Sequence, residues 1–141
     1  MPKIRAEKTG KWVIGRHEFY AAYHFALQYP EWCDRLKVLT DSVGAIQTDG
    51  MPHGNMVGNP TQNLAIQRAE ISQKMELVES AAKEATSDCD WMYDYLMRAV
   101  TSEGITFVYL KTVMEIPCGK DMYYDRRRKF YYLLNKKLFE R

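Results

Sequence analysis

The residues most able to do chemistry in this 141-residue chain lie between Gly119 and Arg141. There Lys120, Arg126, Arg127, Arg128, Lys129, Lys136, Lys137 and Arg141 are set against only Asp121, Asp125 and Glu140. The segment carries a net +5 while the whole chain carries +2, so the remainder sums to about −3. Cations clustered in this way bind polyanions, because each phosphate they neutralise releases condensed counterions. The expected partner is double-stranded DNA.

Catalytic and metal-binding patterns are absent by comparison. His17 and His24 stand seven residues apart on one helical stretch, and a rise of 1.5 Å per residue separates them by roughly 10 Å, too far to share one ion. His53 sits among glycines without a neighbouring Cys or paired acid. No phosphate-cradling glycine loop, nucleophile elbow or carboxylate pair occurs. The chain is therefore not expected to be an enzyme, nor to need a metal or cofactor.

The basic segment must be held by what precedes it. From Ser102 the chain offers a short apolar stretch, a break at Ile116-Pro117-Cys118, and then the basic helix, which is the outline of a helix-turn-helix. Thr106 suits an N-cap, and Phe107, Leu110, Val113 and Met114 recur on one face. Pro117 has no N–H and restricts Ile116, so it marks the turn, with Cys118 as cap of the next helix. In that helix Tyr123, Phe130, Leu133, Leu134 and Leu138 form the inward stripe, interrupted by Arg127 at its edge. Lys120, Asp121, Tyr124, Asp125 and Arg128 are expected on the opposite face near the helix start, where a recognition helix meets base edges. Arg126, Arg127, Lys129 and Lys136 are expected at the flanks, against phosphates.

Upstream, nearly everything outside one loop reads as helix. A first helix over about 11–27 carries Trp12, Phe19, Tyr20, Tyr23, Ala26 and Leu27, and Tyr29-Pro30 interrupts it. A second carries Trp32, Leu36, Leu39 and Val43 and ends near Gly44. Residues 44–60, rich in Gly, Asn and Asp, form a long polar loop. Asn59-Pro60-Thr61 opens a long helix to Ala85, in which Leu64, Ile71, Val78 and Ala85 recur every seven residues and Met75 and Ala82 fill the complementary positions, spoiled at Arg68. Two uses of this seam stand: packing on the first helices within one chain, or a dimer interface built by Leu64, Ile71, Met75, Val78 and Ala82. A further helix from Asp88 to about Val100, buried through Trp91, Tyr95, Leu96 and Ala99, would support the helix-turn-helix. The fold class is all-α. The expected organisation is a helical region over 1–87, with the loop at 44–60 and a dimerisation helix at 60–85, then a helix-turn-helix module over 88–141.

Three scattered cysteines, Cys33, Cys89 and Cys118, form neither a disulfide framework nor a zinc pattern. No run of eighteen apolar residues and no signal-peptide pattern is present. A cytoplasmic protein without a membrane partner is expected.

The order of elements resembles that of the phage late-transcription regulators of the RinA and ArpU type, which end in a module similar to region 4 of sigma factors. The likeness rests on Tyr29-Pro30-Glu31-Trp32, Asp49-Gly50-Met51-Pro52, Asn59-Pro60-Thr61, Gly104-Ile105-Thr106-Phe107, Ile116-Pro117-Cys118-Gly119 and Tyr123-Tyr124-Asp125-Arg126-Arg127-Arg128-Lys129-Phe130. It spans most of the chain from Phe19 onward. The resemblance implies activation of phage packaging and morphogenesis genes in a bacterial host cell, through promoter DNA, as a homodimer or beside RNA polymerase. Two acids on the presumed reading face, Asp121 and Asp125, depart from the sigma-like pattern. The alternatives are a DNA-binding structural protein such as a small terminase subunit, and a phage-encoded protein inhibitor.

Overall fold

The computed structural model describes residues 11–47 and 60–139, and among these every regular element is helical. Helix α1 spans Arg16–Leu27, α2 Tyr29–Gln47, α3 Pro60–Ala85, α4 Tyr93–Val100, α5 Phe107–Thr112 and α6 Lys120–Phe139. A single 3-10 turn, Asp90–Met92, leads into α4.

The first helix begins at Gly15, whose carbonyl accepts from Phe19 N at 2.8 Å. Phe19, Ala22, Tyr23 and Ala26 then repeat at the 3–4 residue spacing of one face and are buried. Pro30 lacks the N–H that a continuous helix would need, so the chain turns at Gln28 and restarts as α2. The corner is fixed by the edge-to-face rings of Phe25 and Trp32, 4.9 Å apart. Helix α2 runs on through Gly44 to Gln47. The expected stop at Gly44 is corrected: one glycine costs a helix interior only about 1 kcal/mol, which does not oblige it to end. The rest of the expected polar loop, 48–59, with His53 and Asn59, lies outside the described residues.

Helix α3 pairs with α2 and α6. Tyr29 Oη donates to Glu79 Oε1 at 2.6 Å, tying the start of α2 to the second half of α3. Ile71, Val78, Ala81, Ala82 and Ala85 are buried within the single chain, and the small alanines let neighbouring helices approach closely. Of the five seam residues Ile71, Val78 and Ala82 face the chain's own core, which is the first of the two uses expected for the seam, and Leu64 and Met75 pack half-buried against its edge. Thr86 Oγ1 donates back to Ala82 O at 2.8 Å as α3 ends.

Helix α6 runs through two cores. Its second half places Phe130, Tyr131 and Leu134 in the main core with α1, α3 and α4, where Tyr131 meets Phe19 edge-on at 4.6 Å. Its first half places Tyr123 in a smaller core with Cys89, Met92, Leu110, Ile116 and Cys118. The regions read as 1–87 and 88–141 thus share the main core, to which the second contributes both α4 and α6. Before α5, Cys89 and Met92 are buried in the smaller core and Leu96 and Val100 of α4 in the main one, while Trp91 is 43% exposed. The 3-10 turn, at three residues per turn, shifts the phase that a continuous α-helix would have had.

Candidate nucleic-acid interface

The helix-turn-helix outline is formed by α5, a connection over 113–119, and α6. Thr106 caps α5, its side chain accepting from Tyr109 N at 3.2 Å. Leu110 is fully buried, and Val113, expected on the same face, is 61% exposed because α5 ends at Thr112. The chain then reverses at Glu115, which adopts a φ of 55°. That left-handed residue lets Ile116 N donate to Leu110 O at 3.0 Å and drops Ile116 into the small core. Seven residues separate the helices, against the three or four of a compact helix-turn-helix. Gly119 rather than Cys118 opens α6, its carbonyl accepting from Tyr123 N at 3.2 Å, and Cys118 is instead buried. Burial holds the Cys118 thiol above its ordinary pKa, with Lys111 opposing and Cys89 adding.

Helix α6 has 20 residues and is therefore about 30 Å long. Its cations divide into two sets. Arg126 is held from two sides: Nη2 donates to Asp88 Oδ2 at 2.5 Å and Nη1 donates to Asp125 Oδ2. Arg127 lies with its guanidinium 5.3 Å from the ring of the buried Tyr131 and 6.0 Å from Phe19. Lys137 donates to Glu84 Oε1 on α3 at 2.8 Å. These three hold α6 to the rest of the molecule. Arg126 and Arg127, expected at phosphates or bases, are both half-buried and engaged with protein groups.

The second set has no carboxylate partner among the described residues: Lys120 and Lys136, both exposed, and Lys129, whose ammonium lies 5.1 Å from the ring of Trp12. Arg128 is half-buried, one turn from Tyr132. Tyr124 is corrected from the reading face to the small core, half-buried with its ring 5.0 Å from Tyr123 and 6.4 Å from Phe107. Spacing explains this, since Tyr124 lies two turns from Tyr131 and one residue from Tyr123, both inward.

The two acids also find roles. Asp121, exposed in the first turn of α6, complements the positive end of the helix dipole, and Asp125 pairs with Arg126. Asp88 feels opposing influences: desolvation raises its pKa, but backbone hydrogen bonding, Arg126 and Cys89 together outweigh it and hold the carboxyl below its ordinary value. Burial pushes Tyr123 up to about 12 despite Arg127, and raises Tyr131 too.

Trp12 was not legible as part of this region. It precedes α1 instead of lying within it, and its ring sits 5.5 Å from Tyr132 of α6. His17 and His24 are exposed on α1, with His24 edge-on to Tyr23 at 5.1 Å. Among the described residues no three His, Cys, Asp or Glu side chains are grouped to hold a metal ion, and no described helix is long and apolar enough to cross a membrane. Comparison of the chain with protein-family models, curated proteins and solved structures finds no match.

Proposed function

We propose that this chain is a sequence-specific DNA-binding transcription regulator that presents α6 to the double helix. The observation that carries the reading is the division of the α6 cations. Three are engaged in holding the helix, while Lys120, Lys129 and Lys136 have no carboxylate partner among the described residues. A helix fixed by its own arginines, with lysines that have no carboxylate partner, suits a rigid element that docks on phosphates, which set register before any base is read. Arg128 and Lys120 are the side chains placed to reach base edges. The further reading, activation of phage late genes at promoters bound beside RNA polymerase, rests on the resemblance of the sequence elements.

Selection from random double-stranded DNA followed by sequencing, at two salt concentrations, tests the reading. An enriched motif supports it, and two half-sites in that motif would add a dimer formed through a surface other than the α3 seam. Salt-sensitive binding without a motif overturns sequence-specific regulation in favour of a packaging or structural role on DNA.

A further inference from the structure

The N-terminal segment joins α6 at an aromatic platform that gathers positive charge. Lys11 Nζ lies 5.4 Å and Lys129 Nζ 5.1 Å from the same Trp12 ring centroid. The two ammonium groups, distant in sequence, are thus no more than about 11 Å apart, comparable to the ~10 Å screening length at 0.1 M salt. Trp12 in turn rests on Tyr132, and Lys129, Tyr132 and Lys136 follow at spacings of three and four residues, one face of α6. Asn135 Nδ2 donates to Glu18 O at 3.2 Å, so the chain from Trp12 to Glu18 runs beside this stretch of α6. It brings Arg16, exposed, with its guanidinium 5.8 Å from the Tyr20 ring.

Like charges assembled around one ring repel each other unless an anion lies among them. Lys11, Arg16, Lys129 and Lys136 have no carboxylate partner among the described residues. Two acids lie nearest along the two segments. Asp125 pairs with Arg126, and Glu18 lies in the first turn of α1 with its carboxylate curled back towards Gly15. Aromatic rings beneath the cations hold them in place, since a cation over an indole face is attracted by its quadrupole.

We infer that Lys11 and Arg16, with Lys129 and Lys136, form a second phosphate-contacting surface, by which the N-terminal segment clamps the DNA backbone alongside α6. This deepens the proposed DNA binding and rests on it. The surface reads no bases; it adds affinity and fixes the direction in which α6 crosses the duplex.

The test is fluorescence anisotropy of a labelled, mixed-sequence duplex of about 20 bp, titrated with the full chain between 50 and 200 mM salt. Each phosphate contact contributes about 0.9 to the slope of log K against log salt. Lys11→Gln/Arg16→Gln should lower the slope by about 1.8, and the charge-retaining Lys11→Arg/Arg16→Lys should restore it. Both positions are exposed, and a circular-dichroism melt of each variant verifies the fold. Wild-type binding with an unchanged slope in the Gln variant overturns this inference alone. A reduced slope in a protein that selects no motif upholds the clamp while removing sequence-specific regulation. Failure of the wild-type chain to bind any duplex overturns both.

Discussion

Arg126 and Asp88 join α6 to the turn that follows α3, 38 residues away in sequence, through a 2.5 Å charge-assisted hydrogen bond. The same guanidinium also holds Asp125 on its own helix. The three-residue cluster fastens the first half of α6 to that turn, so its first effect is on the fold and only its second on a ligand. Because Asp88 is held below its ordinary pKa, its contribution to stability is fully present above the unfolded value near 3.8 and is lost as pH falls through the lower folded value. Wild type should therefore be more stable than Asp88→Asn at pH 7, and the two should converge as pH falls below the folded value of that carboxyl. Urea melts at neutral pH and down through the acid range measure this. A difference that persists undiminished in acid would assign the loss to something other than the ionised carboxylate.

Arg127 and Arg128 are neighbours with opposite expected consequences. The guanidinium of Arg127 lies over the rings of Tyr131 and Phe19, and a partly desolvated cation–π contact is worth about 0.5–2 kcal/mol. Arg127→Ala should destabilise the fold by about that amount, and Lys should not fully replace it, because an ammonium lacks the planar stacking surface. Arg128→Ala should relax sequence preference at one base pair, worth roughly 1–3 kcal/mol if the contact is bidentate to guanine. Binding that weakens equally on every sequence would make Arg128 a phosphate contact instead.

The passage of α6 through both cores predicts one cooperative unfolding transition. Phe130→Ala empties a fully buried site in the main core, and Leu110→Ala does so in the small one. Expected costs are about 3–5 and 2–5 kcal/mol respectively. Trp32 is buried in the main core and Trp91 sits beside the small one, so fluorescence of single-tryptophan variants follows each region separately. Coincident transitions are expected even for Leu110→Ala, because α6 cannot lose Tyr123 packing without loosening the register of Phe130 and Tyr131. Two separated transitions would mean that the small core melts by itself.

The helices that were legible are those whose boundaries rest on covalent facts. Pro30 and Pro60 lack an N–H, and the Thr106 hydroxyl caps the next helix; α2, α3 and α5 begin at or beside these residues. The long apolar repeat correctly located Ile71, Val78 and Ala82 on one face, but a seven-residue repeat cannot distinguish a partner helix in the same chain from one in another. On α6, the spacing placed Phe130 and Leu134 inward. It could not assign Arg126, because its partner Asp88 lies in a turn whose position depends on how the helices pack. Nor could it assign Arg127, whose aliphatic stem and planar head let it sit at a core edge although its charge suggests solvent. Trp12 escaped because continuing the helical period back to Lys11 put it inside α1. The observed start at Arg16 frees it to reach Tyr132.

The placement of the α3 seam sets a last expectation, about what its residues do when removed. Ile71 is 6% exposed in the isolated chain, so Ile71→Ala creates a cavity inside one subunit whatever the oligomeric state. The loss should be about 2–5 kcal/mol, and it should not vary with protein concentration, since no second chain is needed to bury the side chain. A seam shared between two chains would behave differently: unfolding of the wild type would become easier on dilution, and the variant would shift the monomer–dimer equilibrium before it lowered the melting temperature. Chemical denaturation of wild type and Ile71→Ala at protein concentrations a hundredfold apart, with mass in solution measured alongside, separates the two. Superimposable curves at both concentrations are expected. A concentration-dependent midpoint that the variant abolishes would return these residues to an interface between copies.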